Sequence, residues 1–89
     1  MAVYLVAYRL APTDDPYPLE EALGAFEVAG RCFDNVWIIR SPKGANEVRD
    51  ALKVHLGERG RLIVTRCTTD TATARLTADT EEWIKSVLR

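Results

Sequence analysis

Residues 31–40 read RCFDNVWIIR, which is two strand-like segments separated by the turn-forming pair Asp34-Asn35. The second segment is almost wholly apolar, as is typical of a strand that is covered on both faces. The pattern therefore predicts a β-hairpin, with a short strand over residues 31–33 and a returning strand over residues 36–40.

Upstream of this hairpin the sequence predicts one strand and one helix. Residues 2–10 (AVYLVAYRL) are apolar and rich in Val, Tyr and Leu, which favours a strand. Apolar residues at helical spacing then predict a helix that begins at Pro18 and ends at Gly30.

Downstream of the hairpin the same two element types recur, followed by a further helix. An apolar face running from Val48 to Leu56 predicts a helix that stops at Gly57. Residues 61–68 (RLIVTRCT) predict a strand at a sheet edge, and Thr77 starts a last amphipathic helix.

The element order βαββαβ, with one additional C-terminal helix, determines the expected architecture. Right-handed crossovers in this order produce a four-stranded antiparallel sheet with the first two helices on one face. The predicted fold is therefore α+β and ferredoxin-like, in a single domain over residues 1–89, with the two most apolar strands, the first and third, in the middle of the sheet.

Composition and charge exclude several functional classes. The chain has 12 basic and 13 acidic residues and a net charge of -1, so it lacks a basic footprint over the whole surface. No apolar run approaches membrane-spanning length, and the N-terminus begins with strand-like sequence, so we expect a cytoplasmic protein without membrane contact. Two cysteines, Cys32 and Cys67, and a single histidine are too few for a disulfide framework or a metal cluster of the His/Cys kind.

The first strand presents apolar side chains on both of its faces. Val3, Leu5 and Ala7 share the face that the first two helices cannot cover. An open apolar sheet face of this kind usually marks an interface. These residues therefore predict a homodimer stacked sheet to sheet, with coverage by the last helix alone as the alternative.

Arginines stand at the ends of three predicted strands. Arg9, Arg40 and Arg61 are expected to meet at one end of the sheet, because we expect the first and third strands to run parallel and the fourth to run antiparallel to the first. Guanidinium groups gathered in this way bind phosphates or an acidic partner. The alternative is that they are solvated charges without a function.

Several segments also resemble a known family. Tyr8-Arg9-Leu10, CFDNVWII (residues 32–39) and EEWIKSVL (residues 81–88) resemble the SinR-like small proteins, which are relatives of CRISPR-associated protein two. The resemblance implies a ferredoxin-like homodimer of antiviral defence, with metal-dependent nuclease activity or a scaffold role on nucleic acid.

Arg9 is the position at which this sequence departs from that family. The family's first strand ends in Tyr-Asp, and the aspartates of two subunits hold a divalent cation; here Tyr8 is followed by an arginine, which repels a cation. We therefore expect a catalytically inactive homodimer that associates with nucleic acid or a defence-system protein. One alternative is a magnesium- or manganese-dependent endoribonuclease, or a related toxin, in which Asp34 or Asp70 replaces the missing ligand. A further alternative is a small-ligand regulatory domain.

Overall fold

A computed structural model describes the chain from Met1 to Arg89. Its elements, in chain order, are β1 Ala2–Arg9, α1 Tyr17–Gly24, β2 Val28–Phe33, β3 Val36–Ser41, α2 Ala45–Lys53, β4 Arg61–Cys67 and α3 Ala78–Leu88. None of the three helices combines the length and the apolarity that a membrane crossing requires.

The four strands form one sheet in the order β2-β3-β1-β4, and every neighbouring pair is antiparallel. As predicted, β1 and β3 are central and β4 lies at an edge. The α+β class and the antiparallel sheet are confirmed, and the arrangement is compatible with a ferredoxin-like fold. The expectation that β1 and β3 run parallel is wrong, because the two strands pair antiparallel with Tyr4 opposite Ile39.

The main core lies between the sheet and the first two helices. Alternate residues of β1 face α1 and α2, as the two-residue period of a strand requires. The buried members of this core are Tyr4, Val6, Tyr8, Leu19, Leu23, Ile39, Val48 and Leu52. Both helices therefore cover the same face of the sheet, as predicted.

A smaller core lies on the opposite face, under α3. Its buried residues are Ile38, Ile84 and Val87. Trp83 lies directly over Gly30 of β2, where a side chain would overlap the indole ring. The helix is capped by Thr77, whose side chain accepts a hydrogen bond from the backbone N–H of Thr80 at 3.2 Å. The predicted start of the last helix is confirmed.

Two predicted helix ends are wrong. α1 ends at Gly24 instead of Gly30, because Val28–Gly30 pair with β3 and extend β2 toward its N-terminus. Sheet pairing here overrides the helical spacing of the apolar residues. α2 ends at Lys53, and the backbone N–H groups of His55 and Leu56 then make tighter bonds to the carbonyl three residues back.

Candidate anion-binding site

The charged residues of the sheet all have the same sign. The four strands contain five arginines and no aspartate or glutamate, so all 13 acidic residues of the chain lie in helices and connecting segments. Although the net charge is only -1, basic residues are concentrated in the sheet and acidic residues lie outside it. A local basic surface on the sheet is compatible with a nearly neutral chain.

Two of these arginines are direct neighbours. Arg9 of β1 lies opposite Arg61 of β4 in the register, and Arg59 joins them in lining an open cleft of about 640 Å³. We name this the Arg9 cleft. None of its three arginines forms an ion pair, although the exposed residue Glu58 also lines the cleft. Like charges that face each other across two strands destabilise a sheet, so this pair has a cost that anion binding would relieve.

Arg40 does not belong to this cleft, and its predicted position beside Arg9 and Arg61 is wrong. It pairs with Val3, which is six residues before Arg9 on β1. At about 3.4 Å per residue, the two arginines are therefore about 20 Å apart along the sheet. Arg40 lies instead in a second cleft with Arg66 and Arg89.

The predicted dimer residues have three different environments. Val3 packs against the small core under α3, and Leu5 lines an apolar cleft below the loop of residues 71–76. Ala7 is half-buried and pairs with Ile63, which is 65% exposed. The last helix and its preceding loop thus cover part of this face. The homodimer stays a prediction, and its interface would have to use the uncovered part of the face around Ala7 and Ile63.

A hydrogen-bonded cluster on the other face was not predicted. Trp37 Nε1 donates to Tyr8 Oη at 3.3 Å, and Arg31 Nη2 donates to the same oxygen at 3.4 Å. Arg31 also pairs with Glu20 of α1 and lies 5.2 Å from the centroid of the Trp37 ring. The hydrogen bond to Tyr8 raises the pKa of Arg31, burial opposes this, and Glu20 adds to the rise. Because its charge is matched in this way, Arg31 is not a free anion ligand.

The two cysteines behave as half-buried apolar residues. Burial is the largest cause that raises the pKa of both thiols. A raised pKa reduces the thiolate fraction, and with it the nucleophilicity of the side chain. Cys32 and Cys67 are free and lie on opposite edge strands, as predicted.

The carboxylates do not form a metal site within one chain. No group of three or more His, Cys, Asp or Glu side chains lies close enough together to hold an ion. Asp34 adopts the left-handed backbone conformation of the hairpin turn, with φ of 38°. The backbone N–H of Asp70 donates to Thr68 Oγ1 at 3.2 Å within its own turn. Within one chain, the structure thus places neither Asp34 nor Asp70 in a group of side chains that could hold an ion.

Comparison with known proteins does not identify a function for this chain. No family model, curated protein or solved structure matches the chain. The resemblance to CRISPR-associated protein two therefore remains a hypothesis that rests on the sequence motifs.

Proposed function

We propose that this protein is a non-catalytic module that binds the phosphate backbone of a nucleic acid through the Arg9 cleft. The fold under this proposal is the ferredoxin-like βαββαβ arrangement with α3 added. The protein would serve as a scaffold, as the resemblance to CRISPR-associated protein two implies.

The observation that carries this proposal is the unpaired arginine pair of β1 and β4. Residues directly opposite each other in an antiparallel pair have Cβ atoms about 4.5–5.5 Å apart, so the guanidinium groups of Arg9 and Arg61 can reach one phosphate. Charge-assisted bonds from guanidinium to phosphate are among the strongest in proteins. Neither group has a carboxylate partner with which an incoming phosphate would compete.

The surface beside the cleft favours contact with the backbone over reading of the bases. Next to the arginine pair, the β1 and β4 residues on this face are Ala7, Ile63 and Thr65, none of which is aromatic. Proteins that hold single strands by their bases do so with aromatic rings on which the bases stack. The expected binding is therefore independent of sequence and sensitive to salt.

Arg9 also supports a role without catalysis. It occupies the position at which the family that the sequence resembles has its cation-binding aspartate, and a guanidinium cannot ligate a cation. The same side chain, at the end of a central strand and opposite Arg61, is well suited to hold an anion. A cation site and an anion site at one position exclude each other.

Fluorescence anisotropy with labelled single-stranded RNA and duplex DNA tests this proposal. We expect the double variant Arg9→Gln/Arg61→Gln to bind at least about tenfold more weakly, because each lost charge-assisted bond costs about 1.5–3 kcal/mol. The control variant Arg49→Gln/Lys53→Gln removes the same charge from the exposed face of α2, where Arg49 is already paired with Asp50 at 2.9 Å. An equal loss of affinity in both variants would show that only the net charge matters and would refute a site at the cleft.

A further inference from the structure

A second arginine-lined cleft lies at the opposite end of the sheet. Arg40, Arg66 and Arg89 line it, together with apolar residues, and its volume is about 430 Å³. It is bounded by the start of β1, the end of β4 and the last turn of α3. We name it the Arg40 cleft.

Arg40 carries the feature that distinguishes this cleft. Its Nε atom is buried and has no hydrogen-bond partner in the chain, the only buried side-chain nitrogen or oxygen of which this is true. Buried polar atoms without partners are rare in native proteins, and each requires an explanation. The buried donor has no acceptor of its own, which is the situation that a bound anion would resolve.

All the charged side chains that line the cleft are basic. Neither Arg66 nor Arg89 forms an ion pair, and no aspartate or glutamate side chain is among the lining residues. Arg40 lies opposite Val3 on the α3 face, whereas Arg66 lies opposite Tyr4 and reaches the cleft round the edge strand β4. Several guanidinium groups match an oxyanion that has three oxygens and a double charge better than a carboxylate with two oxygens and one charge.

Apolar residues, among them Val3, Val87 and Leu88, also border the cleft, but most of the surface that a ligand would meet is polar. The volume is within the range of about 300–1,000 Å³ that is typical of small-molecule sites.

We propose that the Arg40 cleft binds a small phosphate monoester. The phosphate accepts hydrogen bonds from the guanidinium groups that line the cleft, and because the Nε of Arg40 is closed off from solvent, the Arg40 side chain has to shift to bring this donor to the phosphate. This site is independent of nucleic-acid binding at the Arg9 cleft, about 20 Å away along the sheet. A competing explanation is that Arg40 serves only to neutralise the C-terminal end of the α3 dipole.

Binding of phenyl phosphate, followed by calorimetry and by the midpoint of thermal unfolding, distinguishes these explanations. We expect saturable binding at millimolar concentrations or below in the wild type, and a rise in the unfolding temperature with ligand concentration. Arg40→Met should weaken binding at least tenfold. Arg66→Gln, at an exposed position, should weaken it as well and serves if Arg40→Met does not fold.

The controls separate this site from general charge effects. Arg9→Gln removes one positive charge at the far end of the sheet and should leave the affinity for phenyl phosphate unchanged. Benzoate, which has the same ring but a carboxylate, should bind more weakly, and equal binding of benzoate would overturn the phosphate assignment. Absence of binding in the wild type, or the same affinity in Arg40→Met and Arg66→Gln, would overturn the site.

Discussion

Alanine at Gly30 tests directly whether α3 is seated on β2. A Cβ atom at this position would lie 2.7 Å from Cη2 and 2.9 Å from Cζ3 of Trp83. Carbon atoms in favourable contact are about 3.5–4.0 Å apart, so the indole ring has to retreat by roughly 0.8 Å. Because the ring is rigid and belongs to the helix that covers Ile38, this retreat loosens the small core.

The size of the effect follows from two opposing contributions. Overpacking of a well-packed site costs about 1–3 kcal/mol. Alanine recovers about 0.5–1 kcal/mol because it restricts the unfolded chain more than glycine does. The net loss is therefore about 1.3 kcal/mol at the middle of these ranges. For a domain of this size, each kcal/mol lowers the unfolding midpoint by about 4–8 °C, so we expect a fall of roughly 5–10 °C.

Thermal and urea unfolding, followed by circular dichroism, measure this change. Gly24→Ala is the matched control, because a Cβ there meets nothing within 4 Å and alanine favours the helix, so its stability should stay equal or rise. In a Trp83→Leu background, Gly30→Ala should lose its cost, which a double-mutant cycle reports as coupling. A Gly30→Ala variant as stable as the wild type would refute the placement of α3 on β2.

Three further predictions concern single positions. Arg9→Gln should raise the free energy of unfolding by about 0.2–1 kcal/mol at low salt, since it removes the like charge opposite Arg61; urea unfolding measures this, and a loss of stability would contradict it. Burial raises the pKa of Cys32 and Cys67 above the ordinary value of 9.0, so the unfolded chain loses these protons first. The free energy of unfolding should therefore fall as the pH rises above about 9, and less steeply in Cys32→Ala; the same pH profile in both proteins would count against buried thiols. Finally, a homodimer that uses the exposed side chain of Ile63 should dissociate in Ile63→Glu, as sedimentation velocity would show, and a wild type that sediments as a monomer would end the dimer prediction.

The element order and the two-sided sheet could be predicted because the strands are strongly patterned. The Asp34-Asn35 turn and the apolar segments of β1 and β3 are local signals that the structure follows. The end of α1 could not be predicted in this way. The segment Val28–Gly30 is short and apolar, and only its pairing with β3 makes it a strand.

The position of Arg40 follows from the order of the elements, which corrects the prediction that it lies beside Arg9. A crossover through α1 makes β2 parallel to β1, with β3 between them. The hairpin then reverses the chain, so β3 has to run antiparallel to β1. Arg40 therefore lies at the end of the sheet opposite to Arg9. Arg66 joins Arg40 in the same cleft only in this orientation, so the parallel arrangement did not predict it.

The cluster of Arg31 and Trp37 around Tyr8 depends on a β-bulge in β2 that the local sequence pattern does not predict. A regular hairpin about Asp34-Asn35 would place Cys32 opposite Trp37. The structure has a bulge between Arg31 and Phe33, so that Arg31 is opposite Trp37 instead. A shift of one residue moves a side chain to the other face of the sheet. The bulge therefore brings Arg31 to the face of Tyr8.

The dependence of nucleic-acid affinity on salt concentration tests the central claim most directly. On single-stranded RNA, the logarithm of the affinity should fall linearly with the logarithm of the salt concentration, with a slope of about −0.7 for each phosphate contact. Arg9 and Arg61 reach one phosphate together, so the loss of this contact in Arg9→Gln/Arg61→Gln should make the slope shallower by about 0.7, while Arg49→Gln/Lys53→Gln should keep the wild-type slope. A wild-type slope that the substitutions at the Arg9 cleft leave unchanged would show that Arg9 and Arg61 do not contact phosphate and would contradict the proposed function.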